Sequence, residues 1–234
     1  MPYDHTGCLA KKPITMTNGV LLIDKPVGFS SFQIVQVLKR RFEKVGHAGT
    51  LDPFASGLLI ILIGAATKMC SSLQVFDKEY AGEMMLGFST NTYDLSGEVV
   101  KTSPGTKCAG SFEELNQVAR GFVGEIEQVP PKFSAIKQGG KKLYELSRQG
   151  IPVEPKARTI TIKSFTINDI RYPLITFKAV VGKGVYIRSL AHDFGKALGC
   201  EATLISLRRT RIGEYHVNSA RKLGEVLFSH SRLE

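Results

Sequence analysis

The 234-residue sequence has no tryptophan and only four cysteines, Cys8, Cys70, Cys108 and Cys200. They are scattered, with no CxxC pair and no Cys/His spacing suited to zinc, so neither a metal site nor a disulfide framework is expected, and a reducing compartment fits. Long apolar runs are also missing. The longest, GLLIILIGAA at 57–66, is too short to cross a bilayer, and the N-terminal MPYDHTGCLAKKPITMTNG lacks the apolar core of a signal peptide. These absences predict a cytoplasmic chain with no membrane partner. Nucleotide and hydrolase signatures fail as well. GAATKM at 64–69 lacks the glycine that a phosphate loop places directly before its lysine, VGKGVYIRSLAHDFG has a GxG without the third glycine, and no GxSxG elbow occurs. No internal repeat, low-complexity tract or second domain boundary is visible.

What is present is a globular composition, 43% hydrophobic and 22% charged, long enough to bury a substantial core. Lys and Arg number 31 against 21 Asp and Glu, a formal charge of +10. A surplus of that size commonly marks a polyanion partner; the plainer alternative is a soluble surface that happens to be basic.

Residues 1–17 are polar and aperiodic and read as a loosely ordered extension. GVLLIDKP at 19–26 reads as a strand stopped by Pro26. SSFQIVQVLKRRF reads as an amphipathic helix with a serine cap, Phe32, Val35, Leu38 and Phe42 on its apolar face, and cationic residues 39–41 near its C-terminal end. GHAGTLDP at 46–53 reads as a tight loop, GLLIILIG as a fully buried strand, and ATKMCSSLQVF as a short helix. Alternation over 78–102 suggests antiparallel pairing, and SFEELNQVARGF is a helix with capping-box spacing at Ser111 and Glu114. The stretch 129–158 differs in kind: it is basic, broken by Gly and Pro, and holds one short helix, KKLYELSR, which Gly150 can close, so it resembles a mobile arm. Two strands follow in RTITIKSFTI and LITFKAVV, then a helix, VYIRSLAHDFGKALG, closed by Gly199, and a last strand, ATLISLRRTRIG, carrying Arg208, Arg209 and Arg211. Strands interspersed with helices without regular βαβ alternation predict an α+β domain on a largely antiparallel sheet.

Asp52 with His47 is the first candidate for chemistry. Pro53 biases Asp52 toward an extended backbone, which suits a presented carboxylate, yet aspartate is also a common turn-former. Tyr80 and Tyr186 stand in Lys-rich contexts, as an aromatic that stacks on an unpaired base would, or as ordinary packing at a strand edge would. Arg188 could pair with a buried carboxylate; on spacing alone it reads as a solvated charge.

Taken in order, GVLLIDKPVGFSS, GHAGTLDPFASGLL, ATK, DKEY, VPPKFSAIKQGGKKLYELSRQGI, KGVYIRSLAHDFG and SLRR resemble the TruB-type pseudouridine synthases, from about Gly19 to Tyr215. The resemblance implies the pseudouridine synthase catalytic fold over 18–234, with 129–158 as an RNA-gripping thumb. It implies Asp52 as the catalytic aspartate, Tyr80 stacking on the extruded uracil, and Arg188 pairing with Asp52. His47, Tyr186 and Leu207 would line the base pocket or hold the RNA loop, with Lys25 and Lys68 as basic neighbours. The implied substrate is the uridine at position 55, in the TΨC loop of the tRNA T-arm. Breaking a C–N bond and making a C–C bond at one ribose needs no cofactor, metal or nucleotide, and none is expected. Nor is an obligatory protein partner, and a monomer is the default. Family members usually continue into a C-terminal PUA module; only about twenty residues follow Tyr215, so no such module is expected here.

Overall fold

The computed structural model describes residues 17–103 and 110–228. The expected N-terminal extension lies outside the described residues, except for residue 17. The first strand, β1 (Gly19–Lys25), leads through a turn into α1 (Ser31–Leu38). Ser30 caps α1 and Gln33 completes the box, each satisfying a backbone N–H that the helix leaves open. The helix stops at Leu38, so Arg40 and Arg41 lie past its end. Its buried face is Ser31, Ile34, Val35 and Leu38, while Phe32, expected on that face, is 60% exposed. The apolar stripe runs through 31, 34, 35 and 38, and Phe32 falls off it by about 100° of helical rotation. Burial of Ile34, Val35 and Leu38 is worth about 1.5–3 kcal/mol each, and Leu38→Ala would cost about 2–5 kcal/mol.

Next come β2 (Val45–Ala48) and β3 (Ser56–Ile63). The uninterrupted apolar run of β3 is explained by burial on both faces. Leu59, Ile61 and Ile63 pack toward α1, and Leu58, Ile60 and Leu62 join a second cluster with Leu73, Ile212 and Val217. The stretch expected as one helix after β3 is a 3-10 turn, Gly64–Met69, followed by α2 (Cys70–Gln74).

The strand β4 (Lys78–Leu86) alternates as expected, and β5 (Phe88–Thr90) and β6 (Val99–Thr102) form a separate small ribbon. Then follow α3 (Phe112–Arg120), capped by Ser111 and Glu114, and β7 (Gly124–Gln128). The basic arm holds the two-residue strands β8 (Lys137–Gln138) and β9 (Lys141–Lys142) and the helix α4 (Leu143–Arg148). Beyond it run β10 (Arg158–Arg171), β11 (Leu174–Val181), α5 (Ile187–Ala197) and β12 (Ala202–Ile212). β12 is not the last strand: β13 (Tyr215–His216), β14 (Arg221–Lys222) and α6 (Leu223–Phe228) follow.

The main sheet has the order β14-β1-β3-β12-β4-β11-β10-β7, with β2 and β13 attached to β3 and β12. Pairings are antiparallel except β1 with β14 and β3 with β12, so the sheet is mixed and largely antiparallel. α3 and α5 cover one face of β4, β10, β11 and β12. The parallel contact of β12 with β3 brings Arg209 opposite Gly57, immediately below the 49–55 loop.

Candidate active site

The octapeptide GHAGTLDP is only partly a loop. Gly46, His47 and Ala48 lie in β2, with His47 opposite Ile61 of β3, and the loop begins at Gly49, whose φ of +90° only glycine adopts freely. From Gly49 to Ala55 the loop is held on several sides. Ser31 Oγ accepts from the N–H of Leu51 at 2.8 Å and donates to its carbonyl at 3.0 Å. The N–H of Gly28 donates to the Pro53 carbonyl, and that of Ala55 to the Asp52 carbonyl. From below, Arg209 donates to the carbonyls of Leu58 (2.8 Å), Gly49 (3.1 Å) and Thr50 (3.3 Å). Arg209 is 1% exposed and forms no ion pair among the described residues, so backbone carbonyls alone solvate its charge.

This scaffold presents Asp52, whose side chain remains 37% exposed, to Arg188 near the N-terminus of α5. Arg188 is not a solvated charge: its side chain is 6% exposed. Its Nε donates to Asp52 Oδ2 at 3.0 Å and also lies 3.5 Å from Asp94 Oδ2. Its Nη1 donates to the Thr92 carbonyl at 3.0 Å and its Nη2 to the Phe133 carbonyl at 3.1 Å. Three segments distant in sequence, around Asp52, Thr92 and Asp94, and Phe133, therefore converge on one guanidinium, whose planar fork fits such fixed directions. The carboxylate is gripped from behind and open in front.

The other expected residues differ in how the fold holds them. Tyr186 directly precedes α5; Gln128 brackets its backbone, accepting from its N–H at 2.9 Å and donating to its carbonyl at 3.1 Å. Burial pushes the Tyr186 phenol above its ordinary pKa, and the Asp52 charge adds to that. Tyr80 on β4 and Leu207 on β12 are buried in the same apolar cluster as Leu51. Lys25, fully buried at the end of β1, donates to the carbonyls of Pro26 and Phe29. Its pKa falls to about 8 because burial disfavours the ammonium; the Asp52 charge opposes the shift and Arg209 adds to it. Burial, and then the nearby Arg209 charge, lower the His47 pKa. Lys68 is exposed on the 3-10 turn, and its side chain makes no hydrogen bond or ion pair among the described residues.

A cavity of about 430 Å³ opens beside the loop, lined by Val27, Phe54, Ser56, Phe177 and Leu207 among others. Leu207 is the one expected site residue lining it.

Sequence reasoning missed Thr92, Asp94, Ser31 and Arg209. Thr92 serves through its carbonyl, which has no side-chain signature. Asp94 lies in the turn NTYDLSGE, where its Oδ1 accepts from the N–H of Ser96. SLRR drew attention to Arg209 without showing that it lies under the loop.

Comparison with known proteins gives a consistent result. The family model described as TruB family pseudouridylate synthase (N terminal domain) matches residues 36–187. That described as tRNA pseudouridylate synthase B C-terminal domain matches 188–231. The tRNA pseudouridine synthase B of Chlamydia felis is 44% identical over 206 residues, 87% of this chain and 86% of that protein. The enzyme of the same name from Flavobacterium johnsoniae is 47% identical over 216 residues, 86% and 91% of the two chains. Among solved structures, an archaeal box H/ACA sRNP Nop10-Cbf5 complex matches with a TM-score of 0.67 at 28% identity, over 92% of this chain. A Cbf5-Nop10-Gar1 complex matches with a TM-score of 0.68 at 32% identity. This chain spans 54% and 56% of those two structures' matched chains.

Proposed function

Since the chain belongs to the TruB family of pseudouridylate synthases, we propose that the uridine it isomerises is the one in the TΨC loop of the tRNA T-arm, with Asp52 acting on the ribose. The protein is a tRNA-modifying isomerase that converts uridine to pseudouridine. The reaction breaks the bond from C1′ to N1, turns the uracil, joins C1′ to C5, and moves one proton from C5 while N1 gains one. No electron acceptor or donor is involved. A carboxylate cannot reach the ribose of a stacked, paired nucleotide, so the target leaves its stack at a cost of a few kcal/mol.

One observation carries the reading: the 3.0 Å contact of Arg188 Nε with Asp52 Oδ2, in which the arginine is buried and the carboxylate faces outward. An arginine so fixed directs one carboxylate oxygen and leaves the other free for substrate. Tyr80 stacks on the extruded uracil, an aromatic contact worth about 1–3 kcal/mol. Leu207 and Tyr186 bound the base pocket, with His47, Lys25 and Lys68 as RNA-side or basic neighbours. Residues 18–234 act as one catalytic domain, and 129–158 as a thumb over the RNA. In this reading the enzyme works as a cytoplasmic monomer on the T-arm without a cofactor or an obligatory protein partner.

The test is pseudouridine formation in an unmodified tRNA transcript and in its isolated T-arm hairpin, with wild-type protein and Asp52→Asn and no other component. Conversion of the T-loop uridine by the wild type alone, with RNA binding kept in both, is the expected result. Activity that appears only with a guide RNA or added proteins, or that survives in Asp52→Asn, would refute it.

A further inference from the structure

Resting on that reading of Asp52 and Arg188, we infer that Tyr93 and His192 form a stacked pair that positions the catalytic arginine, by pinning the turn whose Thr92 carbonyl and Asp94 carboxylate grip it. Tyr93 sits between the two residues that hold Arg188: the Thr92 carbonyl accepts from Nη1 at 3.0 Å, and the Asp94 carboxylate lies 3.5 Å from Nε. A small rotation of the Tyr93 backbone moves both at once.

The Tyr93 backbone is unusual. Its φ of +63° is the sole positive value at a non-glycine position among the described residues. A bulky residue there is strained and persists only where its surroundings over-determine it. The surroundings do so in three ways. The N–H of Tyr93 donates to the Thr90 carbonyl, and its own carbonyl accepts from the N–H of Leu204 on β12. The turn is tied internally, because Thr92 Oγ1 donates to Asp94 Oδ1 at 2.9 Å and Thr90 Oγ1 to the Asp94 carbonyl at 2.7 Å. Finally, the Tyr93 ring lies flat on the His192 ring, with centroids 3.9 Å apart and planes 13° from parallel.

The partner's position gives the stack its meaning. His192 follows Arg188 by four residues on α5, so the two stand one turn apart on the same helical face. The stack therefore fastens the gripping turn to the helix that carries the gripped side chain. Tyr93 and His192 do not touch Asp52 and act only through Arg188. His192 is buried, and its Nδ1 lies 4.0 Å from Glu201 Oε2.

The experiment measures single-turnover rate, KM and RNA affinity on the T-arm hairpin, with thermal unfolding in parallel. Wild type is compared with Tyr93→Phe, Tyr93→Gly, His192→Ala, the Tyr93→Gly/His192→Ala double variant, and Asp52→Asn. Tyr93→Phe keeps the ring and should keep the wild-type rate. Tyr93→Gly relieves the backbone conformation while removing the ring, so it should fold and lose about ten-fold in rate, with KM and RNA affinity unchanged. His192→Ala should lose a similar factor, and the double variant no more than the worse single. A wild-type rate in Tyr93→Gly or His192→Ala, multiplicative losses in the double variant, or failure of Tyr93→Gly to fold would each overturn the inference. Activity in Asp52→Asn would instead refute the reading of the site beneath it.

Discussion

Asp94 Oδ2 lies 3.5 Å from Nε of Arg188, the same nitrogen that donates to Asp52 at 3.0 Å, so one buried guanidinium is shared by an outward-facing and a buried carboxylate. The buried one, 5% exposed, fixes where the arginine sits. The exposed one is then fixed by the arginine.

Asp94→Asn should accordingly lower kcat by about ten- to a hundred-fold with KM little changed, because it displaces a positioning charge without altering the RNA surface. Rapid-quench pseudouridine assays across a range of RNA concentrations separate the two parameters. A pure rise in KM would mean that Asp94 serves binding instead.

Lys25 gives the site an alkaline limb. Its pKa in the folded protein is about 8, so its charge beside Asp52 is lost as pH rises through that value. Activity should fall above about pH 8 in the wild type and stay level to higher pH in Lys25→Arg. Lys78 is also lowered to about 8, by burial first and then by Arg209, and Lys78→Arg should leave the limb in place. For stability the sign is opposite. The unfolded lysine, at 10.5, binds its proton more tightly than the folded one, so this group's contribution to stability rises with pH between about 8 and 10.5.

His192 should make the fold acid-sensitive. Burial lowers its pKa from 6.5 to about 4, so between those values the unfolded chain binds the extra proton and folding loses free energy as pH falls. The loss from this group is on the order of 2 kcal/mol at pH 5. Urea unfolding at pH 7.5 and pH 5 should show a smaller drop in His192→Phe, which keeps a ring but cannot titrate. Equal drops in the two proteins would assign the effect elsewhere.

Arg209 and Gly57 form one structural unit. A Cβ on Gly57 would overlap the Arg209 backbone, and the glycine's φ of +106° disfavours any side chain. Gly57→Ala and Arg209→Met should each destabilise by about 3 kcal/mol, the first by strain and the second by leaving three carbonyls without their donor. Arg209→Lys should recover little, since an ammonium cannot span three divergent carbonyls. Thermal melts of the three variants test this, and a Tm within a degree of wild type for any of them would contradict it.

The elements with local causes were legible in the sequence. The Ser111 and Glu114 box, the alternation of 78–86, the apolar run of β3 and the glycine stops at 150 and 199 all follow from interactions within a few residues, and the motif resemblance supplied the names of Asp52, Tyr80 and Arg188. What the sequence determined by itself was thus most of the segments, those whose causes lie within a few residues, and the family that the motifs resemble. Only the tertiary structure decided which face α1 buries, that Phe32 is exposed, and that β12 lies parallel to β3 and so carries Arg209 beneath the loop. It alone placed Thr92, Asp94 and Phe133 around Arg188. The physical reason is that a guanidinium's environment is set by carbonyls and carboxylates 55 to 136 residues away, whose approach depends on strand order and register rather than on any local pattern.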